Sequence, residues 1–222
     1  MSATYAVVGI PFSTFTRTIT SALTFKGVPF EQKLAPPHSD LAREHNPFGL
    51  IPTLVITEDS VPLNLRESQA IARYLDRVIP SPSLVQVDLQ IPEKLWELVS
   101  IIASIGFKTI EVQVVKPRVK SLDEGKESTD ECRARIERSG GTQDLRQFFQ
   151  TLDGLRKAGG LFLLGGNPTW PDFFLYPPVA DLLATPDADL APEWIHSWAK
   201  SMDSVKGIRD THPGTLAAGG RP

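Results

Sequence analysis

Three short stretches in the first seventy residues carry groups able to act on a small ligand. Pro11-Phe-Ser-Thr-Phe-Thr-Arg17 places Ser13 and Thr14 just ahead of an apolar, periodic run. A hydroxyl at a helix N-terminus can donate to an anion held in the positive end of the helix dipole, or it can simply cap the helix. Asn46-Pro-Phe-Gly-Leu-Ile-Pro52 puts a proline immediately before an apolar strand. A cis Ile51–Pro52 bond there would turn the main-chain N–H and C=O of Ile51 outward, a template for an extended peptide ligand. A trans proline starting the strand is the plainer alternative. Arg66-Glu67-Ser68-Gln-Ala-Ile71 sets a carboxylate and a hydroxyl where a strand gives way to a helix. The free N–H groups of that helix suit a ligand carboxylate, and Glu67 suits an ammonium. The alternative is that Ser68 only N-caps the helix.

These stretches need elements to hold them. Tyr5–Ile10 reads as a buried strand. Thr16–Lys26 reads as a helix, with Ile19, Ala22 and Leu23 on one face and Gly27 as its stop. Pro29–Leu34 reads as a second strand. Thr53–Thr57 and Val61–Leu65 read as a hairpin, and Ser68–Val78 as a helix. The order is βαβ and then ββα. Ile79–Pro92, with Pro80, Pro82 and Pro92, reads as a linker. Beyond it the periodicity is helical throughout: Glu93–Lys116, Thr129–Lys157, Asp172–Ala184 and Pro192–Met202. The charged stretch KPRVKSLDEGKESTDE is expected to be solvated, and the tail from Thr211 to be frayed. The expected domains are 1–80, a linker over 81–92, and an all-helical domain over 93–222.

Composition narrows the function. The chain has 222 residues, 41% of them apolar, and a net charge of −3, which gives no footprint for nucleic acid. Cys132 is the only cysteine, so no intramolecular disulfide or cysteine metal cluster can form. The four histidines are too scattered for a metal site. WELVSIIASIGF, interrupted by Glu97, reads as too short to span a bilayer, so no membrane association is expected. A reducing, cytoplasmic setting fits.

Taken in order, Ser13-Thr14-x-Thr16-Arg17, Asn46-Pro47-Phe48-Gly49-x-x-Pro52 and Glu67-Ser68 resemble the glutathione transferases. The resemblance is closest to the serine-type class exemplified by the plant phi enzymes. LLGGNPTWPDFFLY also looks like the family's capping segment, with Thr169 and Asp172 as a capping box. The resemblance implies an α/β thioredoxin-like N-terminal domain that binds glutathione and an all-α C-terminal helical domain that covers the electrophile site. It implies that Ser13 hydrogen-bonds the glutathione sulfur, with Thr14 and Thr16 as rivals and Tyr5 structural. Ile51, ahead of Pro52, would pair with the cysteinyl main chain, and Glu67 and Ser68 would hold the γ-glutamyl end. His38, or alternatively His45, would reach the glycine end. Pro11, Phe12 and Phe15 would line the electrophile pocket together with the helix that carries Trp96, Ile102, Phe107 and Ile110. Phe48 resembles an aromatic key that enters the partner subunit of a homodimer, or else is local core. Leu50 departs from the family, which usually has a polar residue there.

The activity implied is glutathione conjugation to hydrophobic electrophiles or reduction of organic peroxides, with glutathione as cosubstrate and no metal. Serine at position 13 argues against the thiol-exchange chemistry of cysteine-bearing classes. The alternative is a non-catalytic ligandin-type protein that carries glutathione and apolar small molecules. A protein-interaction module of the kind found in translation factors is a third, weaker reading.

Overall fold

The computed structural model describes residues 3–85, 89–208 and 216. They fall into two compact units, divided after Val85 and again before Ser204.

The first unit is a mixed four-stranded sheet flanked by helices. Its elements are β1 (Thr4–Val8), α1 (Thr14–Phe25), β2 (Glu31–Lys33), α2 (Asp40–His45), β3 (Thr53–Glu58), β4 (Val61–Arg66) and α3 (Ser68–Val78). The strand order is β2-β1-β3-β4, with β1 and β2 parallel and the other pairs antiparallel. A parallel pair needs a crossover, and α1 supplies it. Both the βαβ and the ββα order expected from the sequence are present. α1 is rich in threonine, a poor helix former. Its hydroxyls turn back onto the helix: Thr18, Thr20 and Thr24 each donate to the carbonyl four residues earlier. At its end Lys26 is buried, and its ammonium bonds Asp76 and the carbonyls of Ile79 and Pro82. Burial pulls the Lys26 pKa down, against the attraction of Asp76.

The second unit is all helical: α4 (Glu93–Ile101), two π-helical segments (Ile102–Gly106 and Lys108–Val115), α5 (Lys116–Glu124), α6 (Thr129–Arg138), α7 (Gly141–Leu155), α8 (Trp170–Leu183), a 3₁₀ turn (Ala188–Leu190) and α9 (Glu193–Met202). α8 is its core, buried from Trp170 to Leu182. Asp172 anchors that helix. Its Oδ2 accepts from the N–H and hydroxyl of Thr169, and its Oδ1 from the Leu163 N–H and the Trp198 indole. Complete burial pushes the carboxyl pKa up, and these four donors pull it back.

Four expectations need correction. The charged stretch after Val115 is not wholly solvated, because Lys116–Glu124 continues the long helix. Arg118 within it is fully buried, and its guanidinium forks onto Asp187 at 2.6 and 2.9 Å. The helix proposed for 129–157 is two helices, separated where Gly140 turns left-handed at φ 84. The short helix α2 was not foreseen. Its signals were Ser39 at the cap, accepting from the Ala42 N–H, with Asp40 in its first turn and Arg43 and His45 in its last. Finally, Glu97 interrupts nothing, since it lies on the exposed face and pairs with Lys94. The helix Glu93–Glu124 runs 32 residues and is long and apolar enough, by length and composition, to cross a membrane. Half of its most apolar stretch is buried.

Candidate functional site

The register of the sheet gathers the sequence-predicted residues. Val8, at the end of β1, pairs with Thr53, at the start of β3, and Thr53 pairs with Arg66, at the end of β4. On its other side Val8 pairs with Lys33, the last residue of β2. The loop to Ser13, the segment with His38, the Ile51–Pro52 pair and Glu67–Ser68 therefore all leave one end of the sheet. Adjacent strands lie about 4.8 Å apart, so the row from Val8 to Arg66 spans about 10 Å. That is about the reach of an extended tripeptide.

Each residue is placed by identifiable contacts. Ser13 occupies the N-cap position of α1, where its carbonyl accepts from the Arg17 N–H but its hydroxyl makes no capping bond. The first N–H groups of α1 stand beside it. The Ile51–Pro52 peptide bond is cis, as the sequence reading anticipates. Among the described residues, no hydrogen bond uses the Ile51 N–H or carbonyl. The loop that presents Ile51 is built by Asn46, whose buried amide accepts from the Phe48 N–H and donates to the Leu50 carbonyl. Gly49, at φ 67, lets that loop close on His38. The His38 N–H donates to the Gly49 carbonyl at 2.7 Å, and a Cβ on Gly49 would stand 2.9 Å from the His38 Nδ1. His38 is thus fixed against Gly49, which precedes Ile51 by two residues in the chain. The His45 ring is instead bonded to Asn64, while its carbonyl accepts from the Arg66 Nε.

Glu67 has φ 66 and ψ 114, a conformation costing a side-chain-bearing residue about 1–3 kcal/mol. It holds the N-cap position of α3, and Ser68 is the first helical residue, so Ser68 does not cap the helix as one reading had it. Neither side chain makes a capping bond, and the carboxylate of Glu67 is exposed. The end of the sheet thus offers two hydroxyls, a carboxylate, the main-chain N–H and carbonyl of Ile51 and two helix N-termini. This set suits a small zwitterionic peptide with an acidic group that needs stabilising as an anion. Phe12 and Phe15 flank Ser13, both half-buried. Phe48 is 73% exposed, so it is not local core. Leu50 also faces outward. Ile102 and Ile110 are buried. Among the described residues no group of acidic, histidine or cysteine side chains is arranged to hold a metal.

A thioredoxin-like sheet unit followed by an all-helical unit is the glutathione transferase fold, and the comparisons agree. Residues 12–78 match the model for the glutathione S-transferase N-terminal domain, and residues 128–214 that for the C-terminal domain. Among solved structures the chain is similar to FzlA from C. crescentus, with TM-score 0.77 and 17% identity over 94% of this chain and 91% of that one. It is similar to glutathione transferase F7 from Populus trichocarpa, with TM-score 0.73 and 19% identity over 93% and 97%. It is also similar to maleylacetoacetate isomerase from Anaeromyxobacter dehalogenans, solved with bound dicarboxyethyl glutathione, with TM-score 0.68 and 20% identity over 96% and 92%. No curated protein matches the sequence. The chain belongs to the glutathione S-transferase family.

Proposed function

We propose that the protein is a glutathione transferase of the serine type. The observation that carries this reading is the register Val8–Thr53–Arg66, from whose one end the segments carrying Ser13, Ile51 and Glu67 all leave, across a row about one tripeptide long. Glutathione would lie along that row. Its cysteinyl main chain pairs with Ile51, its γ-glutamyl ammonium meets Glu67, and its α-carboxylate takes the Ser68 hydroxyl and the N-terminus of α3. His38 would reach the glycine end. The Ser13 hydroxyl and the N-terminus of α1 then face the sulfur.

The energetics suffice. A free thiol has a pKa of about 8.5, so little is thiolate at neutral pH. Lowering it by about 2 units takes about 2.7 kcal/mol of preference for the anion. A hydrogen bond to a charged group contributes about 1.5–3 kcal/mol, and a helix N-terminus about 0.3–1 kcal/mol more. Ser13 stays protonated and acts as a donor. The thiolate attacks a hydrophobic electrophile or the oxygen of an organic peroxide. The protein works in the cytoplasm as a homodimer, in which Phe48 inserts into the partner subunit. Glutathione binding with thiolate formation, lost in Ser13→Ala, is the test.

A ligandin-type carrier without catalysis is the second reading, and one observation favours it. Leu50, next to Ile51, is exposed yet offers no polar group to a glutathione carboxylate. Under that reading glutathione binds as the thiol and no conjugate forms.

A further inference from the structure

Along the exposed side of the long helix, charge and apolar surface alternate with a fixed period. Val112, Lys116, Lys120 and Glu124 line a groove of about 660 Å³ at a spacing of four, so they form one stripe along the helix. Lys108, also exposed, continues the stripe one turn earlier. In chain order the stripe reads cation, apolar, cation, cation, anion. The apolar point is open, since Val112 is 47% exposed. Lys126 and Arg135 add two cations to the lining, and Glu127 adds an anion. Four cations less two anions leave the groove at +2, in a chain whose net charge is −3.

The surplus charge sits on the lysines of the stripe. Arg135 is committed to Glu127, with its Nη2 at 2.5 Å and its Nε at 3.3 Å. Glu124 is shared between two ammonium groups, 3.8 Å from Lys120 and 3.4 Å from Lys126. Both lysine side chains are at least three-quarters exposed, and such pairs contribute little. Lys116 has an aromatic ring as its neighbour, its Nζ 5.1 Å from the centre of Phe107. Lys116 and Lys120 therefore hold charge that a partner's carboxylates can take up.

The period of the stripe sets the form of that partner. From Lys116 to Lys120 the helix rises about 6 Å. Two residues of an extended chain cover about 6.6–6.8 Å and put their side chains on the same face. Every second side chain of an extended segment thus keeps step with the stripe, turn by turn. We propose that this groove docks an extended acidic segment of a partner protein, with an apolar side chain on Val112 and carboxylates two and four residues away on Lys116 and Lys120. In the other direction a carboxylate two residues from the apolar side chain meets Lys108. Where the segment passes Glu124 it carries no acid. Complementary charge gives the encounter its rate and register, and Val112 fixes the phase. The surface is separate from the end of the sheet and does not depend on what binds there.

The test is fluorescence anisotropy of two labelled peptides titrated with the full chain, at an ionic strength of about 0.15 M so that distant charges are screened. The in-phase peptide is Glu-Ser-Glu-Ser-Leu-Ser-Glu-Ser-Glu, which presents the same pattern in either chain direction. The out-of-phase peptide, Ser-Glu-Ser-Glu-Leu-Glu-Ser-Glu-Ser, has the same composition with every acid on the face opposite its leucine. Wild type is compared with Lys116→Ala/Lys120→Ala, with Val112→Asp, and with a control, Lys94→Ala/Lys200→Ala. The substituted residues are all exposed, so folding is preserved. The expected result is saturable binding of the in-phase peptide, with Kd raised about tenfold or more for the out-of-phase peptide and for both groove variants, and unchanged in the control. Equal binding of the two peptides, or an equal loss in the control, marks a general charge effect and overturns the proposal. A wild-type Kd in either groove variant overturns it too, as does failure of wild type to saturate by about 1 mM. Co-sedimentation of wild type with phosphatidylglycerol vesicles, lost in Lys116→Ala/Lys120→Ala and without peptide binding, would assign the stripe to a membrane surface and overturn it as well.

Discussion

Thr53 stands directly across from Arg66 in the β3–β4 ladder, which sets Pro52 and Glu67 side by side at one end of the sheet. A ligand lying there meets a main-chain edge on one strand and a carboxylate at the end of the next. The consequences can be measured residue by residue.

Glu67 combines a strained backbone with the proposed binding role. Glu67→Gly removes the cost of φ 66 and deletes the carboxylate. The protein should become more stable by about 1 kcal/mol while losing glutathione affinity by roughly 10- to 100-fold, the worth of a charge-assisted hydrogen bond. Thermal unfolding and isothermal titration measure the two effects separately. A parallel loss of both would contradict the division.

Asn46 supports the loop that carries Ile51. Asn46→Ala leaves the Phe48 N–H and the Leu50 carbonyl without their side-chain partner. A stability loss of about 2 kcal/mol is expected, with weaker glutathione binding because Ile51 is no longer held. Asn46→Asp, which keeps the bond from the Phe48 N–H and loses the one to Leu50, should fall between.

Asp172→Ala should be far more damaging. It strips four donors of their acceptor in the centre of the helical unit. A loss of about 3 kcal/mol or more is expected, lowering Tm by roughly 6–12 °C. Trp198 loses its indole partner, so its fluorescence should report the change even where the protein stays folded.

Tyr74 offers a pH readout in the sheet unit. Burial, then a hydrogen bond with Tyr5, raises its phenol to about 12. A phenol whose folded pKa is raised contributes stability that is complete below the unfolded value of about 10. That stability is lost as pH climbs from there towards 12. Difference titration of wild type against Tyr74→Phe should therefore show no phenolate signal from Tyr74 near pH 10. A signal at that pH would show that the ring is solvated.

Much of the fold was legible because the buried faces keep simple periods. Ile19, Ala22 and Leu23 mark α1, Ile71 and Leu75 mark α3, and two apolar, β-branched runs joined by an acidic turn mark the β3–β4 hairpin. The candidate site was read from an order of motifs rather than from any one of them. What stayed hidden depends on distant partners. Arg118 looked solvated beside other charges, since its partner Asp187 is 69 residues away. The work of Asn46 and Arg66 in shaping the loop before Pro52 is set by tertiary hydrogen bonds. The left-handed turn at Glu67 has no signature in a residue type that ordinarily avoids it.

The central claim is that Ser13 and the N-terminus of α1 stabilise a glutathione thiolate. The most direct measurement is the thiolate ultraviolet absorbance of glutathione bound to wild type and to Ser13→Ala, followed against pH. The account predicts a thiol pKa about 2 units below that of free glutathione in the wild type, most of it restored in Ser13→Ala while binding persists. An unshifted thiol in both proteins would contradict it and favour the carrier.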